Sequence, residues 1–276
     1  MPQVIFHGVR GSYPCPGPEF AEFGGNTACI EFRQEDGQPI LFDLGTGITR
    51  LASQIENQDS YSAAALVSHT HWDHIQGLPF FTPLHHPGTH LDIYSPFDSR
   101  SSLIEAFDKA FTPPLFPVAW DQLGGKLIFH ELSSFQFAIG SVSVKCARVP
   151  HPGVSYGYRI DDRGVSLAYV SDHQMPEDRQ AISSEVLELC HNVDVLVHDA
   201  QYTNEEFLSK SDWGHCTIEY AIHVALSAGA RTLIIFHHDP SHNDTIMRHI
   251  SVQAGKSAEK FNLNLVVAKE GMTIDL

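Results

Sequence analysis

The chain has 276 residues, 42% of them apolar, enough for a sizeable core in one large domain or two small ones. Its 33 acidic and 17 basic side chains leave a net charge of −16 with histidines neutral. The basic residues are scattered, so the surface repels a nucleic-acid backbone and no large nucleic acid is expected as partner. Five cysteines (Cys15, Cys29, Cys146, Cys190, Cys216) without a C-x-x-C pair, no secretory leader pattern and no run approaching the roughly 18 apolar residues of a membrane span argue for a cytoplasmic chain that uses neither disulfides nor a membrane.

QVIFHGV (3–9) is a strand candidate, and residues 10–28 form a Gly/Pro-rich loop long enough to suggest a functional role. Residues 28–33 and 39–45 read as a hairpin across EDGQ. GTG at 45–47 precedes an amphipathic helix, ITRLASQI. A Gly-rich turn before a helix can cradle phosphate, but a tight strand-to-helix turn accounts for this one equally well. AAALVS (63–68) is a short apolar run of the kind that makes a buried strand. HTHWDH (69–74) follows, with three histidines and one aspartate in six positions. IQGLPFF then reads as a helical turn stopped by Gly77 and Pro79. Residues 79–125 are rich in Pro and aromatics, with one helix near 99–110. They are expected to form an insertion or lid that walls a substrate pocket, or else a packed excursion with Phe80, Phe81, Phe111 and Phe116 in the core. His85, His86 and His90 in this segment are assigned to loop, not to a ligand set.

From residue 126 the strand signals return in KLIFHEL, FQFAIG, VSVKCARV, YGYRI and VSLAYVS. A helix from near 178 ends at EVLELC. DVLVHDA and RTLIIFHH are buried strands around a helix over 217–230 that stops at Gly229. A closing helix over 241–261 precedes LNLVVA and MTID. The pattern predicts an α/β fold: one domain over 1–276, built as a four-layer αββα sandwich of two facing mixed β-sheets with outer helices.

In an extended segment His69 and His71 point the same way, while Asp73 and His74 fall in the turn and can aim elsewhere. One loop can therefore feed two metal ions about 3.5–4 Å apart, as in two-metal hydrolytic sites. His151, Asp172 and His237 each come directly after an apolar run expected as a central strand. The inventory fills two positions. One takes His69, His71 and His151; the other takes Asp73, His74 and His237; Asp172, with two oxygens, bridges. Such donors suit two divalent transition-metal ions, Zn(II) first, with Mn(II) or Fe(II) as alternatives. Open positions between them would hold a bridging hydroxide, its pKa lowered to about 7, and Asp73 could also orient it.

HTHWDH with His151, Asp172 and His237 downstream resembles the metallo-β-lactamase-fold metallohydrolase superfamily over nearly the whole chain. The resemblance implies the αββα sandwich, with metals at the edge between the sheets. Within the superfamily the chain looks like the ribonuclease Z and cyclic-phosphodiesterase branch. VHDAQY (197–202) is similar to the HEAT-like motif of ribonuclease Z, with Asp199 at its acidic position. WGHCTIEYA (213–221) is similar to its G-H-S/T-T helix start, with His215 as the catalytic histidine and Thr217 able to cap the helix. Asp199 stands where glutamate is more usual, Cys216 where serine is, and no tRNA-gripping arm is visible.

The expectation is a phosphodiesterase for a small phosphodiester such as a cyclic nucleotide, not a tRNA-processing enzyme. His215, an imidazole titrating near about 6.5 and oriented by Asp199, can protonate a departing alkoxide. Its structural alternative is a helix-start histidine bonded to a nearby carbonyl. The competing activity is hydrolysis of a carboxylic ester, lactone or thioester on the same metals, which needs no His215–Asp199 pair when the leaving group is good. Di-iron redox relatives carry a glutamate where His71 stands, and a catalytically idle relative would have lost ligands. Relatives of this kind suggest a homodimer.

Overall fold

The computed structural model describes residues 1–56, 60–95, 100–130, 132 and 134–276, with backbone alone at 100–103. Short runs of β-branched and aromatic residues, punctuated by Gly, Pro and Asp, fold as strands. The first half contains β1 (Gln3–Gly8), β2 (Cys29–Arg33), β3 (Ile40–Phe42), α1 (Ile48–Ile55), β4 (Ser62–Leu66), α2 (Trp72–Ile75), β5 (His90–Tyr94), α3 (Arg100–Ala110) and β6 (Lys126–His130). The second half contains β7 (Gln136–Ile139), β8 (Val142–Val149), β9 (Ser155–Asp162), β10 (Val165–Val170), α4 (Ser184–Cys190), β11 (Val195–Asp199), α5 (Asn204–Phe207), α6 (Ile218–Ala228), β12 (Thr232–Phe236), α7 (Asp244–Glu259) and β13 (Asn264–Val267). The last strand, β14 (Thr273–Asp275), returns to pair antiparallel with β1.

The strands make two seven-stranded mixed sheets, ordered β14-β1-β2-β3-β4-β5-β6 and β13-β12-β11-β10-β9-β8-β7. Phe6, Phe32 and Phe42 of the first sheet meet Tyr158, Tyr169 and Phe236 of the second in a shared apolar layer. The outer face of the first sheet packs on α1 and on Phe107 of α3, and that of the second on α4, α6 and α7. This is the αββα sandwich. Strands β10 to β13 run parallel, and β8 points the same way through two antiparallel pairings. The C-terminal ends of β8, β10, β11 and β12 therefore open on one edge.

Local signals explain the helix boundaries. Thr217 caps α6 by accepting from Tyr220 N, and Gly229, at φ 71°, ends it in the left-handed conformation that suits glycine. α4 starts at Ser184, later than the expected position near 178, because Ser183 caps it by accepting from Val186 N. The GTG turn is not a phosphate cradle. Gly45 N donates to Ala28 O, Thr46 N to Thr27 Oγ1 and Gly47 N to Thr27 O, so its donors are spent on the chain beside it.

Two details of the 79–125 segment differ from expectation. HLDIY is β5, paired in parallel with β4 and β6, so this part of the segment belongs to the sheet. Phe81 and Phe111 are buried, but Phe80 is exposed and meets Phe116 edge-on at the surface. All five cysteines are buried and free. Among the described residues no helix is long and apolar enough to cross a membrane.

Candidate metal centre

β4 ends at Leu66, and the chain then turns through Ser68 into HTHWDH, whose last residues start α2. The ends of β8, β10 and β12 bring His151, Asp172 and His237 to the same edge. The seven side chains converge. Donor atoms of His69, His71, His151 and Asp172 lie within 4.8 Å of one another, as do those of Asp73, His74 and His237. Asp172 faces both groups. Its Oδ2 stands 3.6 Å from His69 Nε2 and 3.9 Å from His151 Nε2, and its Oδ1 stands 3.2 Å from His74 Nε2 and 3.3 Å from His237 Nε2. His85, His86 and His90 join neither group.

An outer tier fixes which ring nitrogen faces inward for four of the five histidines; His71 instead places its Nδ1 3.3 Å from His151 Nε2. His74 Nδ1 donates to Asp43 at 2.7 Å, His151 Nδ1 to Gly214 O at 2.9 Å and His237 Nδ1 to Gln201 Oε1 at 2.8 Å; His69 Nδ1 meets Ser68 Oγ at 3.0 Å. With those protons spent outward, the inward Nε2 atoms of neutral rings carry lone pairs, and they face one another and two carboxylates. His69 Nε2 and His74 Nε2 are buried with no hydrogen-bond partner. A cation between the donors resolves that arrangement, and an oriented imidazole with a fixed outer partner is how metal-binding histidines are held. The donor set fits a divalent metal.

The electrostatics agree. Burial raises Asp73 and Asp172, yet the imidazoles around them, His74 and His237, hold both well below the usual carboxylate range. Burial pulls His69, His71 and His151 down toward the neutral form that ligates. Burial also opposes charge on His74, but Asp73, Asp172 and Asp43 together push its pKa well up. Without a cation that field favours a proton on His74; a bound metal would take the proton's place on Nε2.

Several of these residues carried no signal in the sequence. Asp43, just past β3, accepts from Ser68 N, Ser68 Oγ, Tyr169 Oη and His74. Gln201, two residues past β11, holds His237. Ser12 N donates to Asp73 Oδ2 at 2.7 Å, which gives the long Gly/Pro loop a role at the site. Gly11 in that loop admits no side chain, since a Cβ there would lie 2.4 Å from His237 Nδ1.

His215, at the approach to α6, lies beside the cluster. Its Nδ1 donates to Asp199 Oδ2 at 3.1 Å and stands 3.8 Å from Asp172 Oδ2. Asp199 at the end of β11 is itself held by His173 N and Gln201 N. Burial lowers the His215 pKa, but Asp199 outweighs it, with Asp172 and Asp73 behind, and the value is pushed up to about 9. A cleft of about 360 Å³ opens over these groups, lined by Ser12, His71, Trp72, Asp73, Asp172, Tyr202, Trp213 and His215.

A family model described as Beta-lactamase superfamily domain matches residues 39–238, which include every one of these donors. The chain belongs to the metallo-β-lactamase-fold metallohydrolase superfamily. Ribonuclease Z of Pyrococcus horikoshii is 26% identical over 287 residues, covering 88% of each chain. Two crystal structures share the fold. The metallo-β-lactamase-fold protein YhfI from Bacillus subtilis has a TM-score of 0.73 at 20% identity, over 99% of this chain and 98% of that one. A diphosphatase of the PhnP family has a TM-score of 0.72 at 17% identity, over 100% and 98%.

Proposed function

We propose that this metallohydrolase is a phosphodiesterase that binds two divalent transition-metal ions, Zn(II) first among them, and acts on a small phosphodiester such as a cyclic nucleotide. His69, His71 and His151 would hold one ion and Asp73, His74 and His237 the other, with Asp172 shared between them. Two such ions would supply positive charge for the phosphoryl oxygens and an activated water as nucleophile. Asp73 has a further task, to orient that water. As the new bond to phosphorus forms, the bond to the leaving oxygen breaks, and that oxygen takes a proton from His215. With Nδ1 on Asp199, the other ring nitrogen of His215 is left to carry this proton. Bound cations would bring its pKa down from about 9, closer to the range of an effective acid.

The observation that carries this reading is the 3.1 Å contact between His215 and Asp199; His215 also groups with Asp172 and His237, but those two already belong to the seven-residue set, and Asp199 joins no group. A buried, oriented imidazole assists an alkoxide leaving group and adds little where the leaving group is good, as in a thioester or activated ester. Support also comes from the relative named ribonuclease Z, which spans 88% of this chain. A small substrate is favoured because no Lys or Arg is among the residues lining the cleft, and because the chain carries −16. The test is turnover by metal-loaded protein of a panel of phosphodiesters, lactones and thioesters. Phosphodiesters should lead; turnover confined to lactones or thioesters would overturn the proposal.

A further inference from the structure

Two indoles stand open at this cleft. Trp72 is 53% exposed and Trp213 is 61% exposed. Trp72 sits on the first residue of α2, between His71 and Asp73, and stacks on the buried ring of Phe111, with centroids 5.9 Å apart and planes at 28°. Trp213 lies in the loop ahead of α6, two residues before His215, with Lys210 Nζ 5.7 Å from its ring centroid. That ammonium already bonds Asp239 at 2.9 Å and lies 4.6 Å from the Tyr202 ring centroid, so it is not a free charge at the cleft.

A single exposed tryptophan is ordinary. Two on one cleft whose other walls are polar are not accounted for by packing. They come from separate elements, each has its own backing partner, and each keeps more than half its surface open. Backing of this kind holds a ring ready, so little conformational entropy is lost when a planar group lands on it. The lining lacks Lys and Arg, so substrate affinity beyond the metal-facing phosphate has to come largely from these faces. Base–aromatic stacking is the recognition mode they fit.

We propose that Trp72 and Trp213 are specificity-determining platforms that stack the nucleobases on either side of the scissile phosphate. A short linear dinucleotide is then preferred over a cyclic mononucleotide, which offers only one base. The proposal rests on the phosphodiesterase reading and narrows its substrate. It also gives the 79–125 segment a part in the site, because Phe111 is the floor under Trp72.

The experiment compares kcat/KM for the dinucleotide ApA with that for glycerophosphoglycerol, which has no aromatic group, on metal-loaded protein. Wild type should favour ApA. Trp72→Ala and Trp213→Ala should each lower the ApA-to-glycerophosphoglycerol ratio by roughly 5- to 150-fold, mainly through KM, the span expected for one stacked base. Trp72→Phe and Trp213→Phe, which keep a ring, should retain most of it. An unchanged ratio in both alanine variants overturns the proposal. So does a wild type that prefers glycerophosphoglycerol, or a phenylalanine variant as impaired as its alanine counterpart, the mark of lost packing. If wild type hydrolyses neither diester but turns over a cyclic mononucleotide, this proposal fails and the phosphodiesterase reading stands; if it hydrolyses none of the three, both fail.

Discussion

The two halves of the metal cluster are built differently. His69, His71 and His151 form a set of three imidazoles in which His71 is exposed. Asp73, His74 and His237 are all buried, and that set adds a full carboxylate to the oxygen it shares from Asp172. The outer partners differ too. His74 is held by the carboxylate of Asp43, whereas His237 is held by the neutral amide of Gln201 and His151 by a backbone carbonyl. A cation in the second set gains more Coulomb attraction in a drier place. The first set is open to solvent at His71 and less anionic. Under the proposed assignment the second set would be the tighter position and the first the more exchangeable one; both border the cleft, through Asp73 and His71.

The largest expected effect is that of removing the residue both sets share. Asp172→Ala should abolish turnover and lower metal content at both positions, while circular dichroism keeps an α/β spectrum. Without the carboxylate, two nearby cations would repel each other with nothing between them. Retention of both metals and of turnover would show that Asp172 joins nothing.

A second experiment separates the sets. A chelator at moderate concentration should strip metal in two phases, the first from the His69, His71 and His151 set. Asp73→Asn should remove the slow phase and leave the fast one. Release of both equivalents in one phase would break the comparison. A smaller effect is expected from Gln201→Leu, which frees the His237 ring. It should weaken the second position by roughly 10- to 100-fold, the usual cost of losing an outer partner, with little change at the first. Equal weakening at both would mean that Gln201 acts through the Ser12 loop, which its amide also touches.

What could be seen in the sequence follows the same division. HTHWDH was legible because four donors fall in one turn, and His151, Asp172 and His237 because each ends an apolar strand. Asp43 and Gln201 were not. Asp43 reads as strand punctuation in FDLG, and only the parallel pairing of β3 with β4 carries it to Ser68, 25 residues on. Gln201 acquires its role from β11 and β12 lying side by side. β5 was missed because His90 and Asp92 alternate with Leu91 and Ile93 directly after a Pro/Gly-rich stretch, leaving too few apolar residues to stand out. The sandwich itself was legible, since strand runs followed by alternating strands and helices admit few other layerings.

The central claim, that this site hydrolyses a phosphodiester with His215 as the acid, is tested most directly by its dependence on the leaving group. Nitrophenolate departs without a proton; an alkyl or nucleoside alkoxide does not. His215→Ala should cost an alkyl or nucleoside phosphodiester on the order of 10²–10⁴-fold in turnover and bis(p-nitrophenyl) phosphate far less, with metal content unchanged. Equal losses on both substrates, or a loss of metal, would contradict the account and make His215 a positioning residue or a ligand.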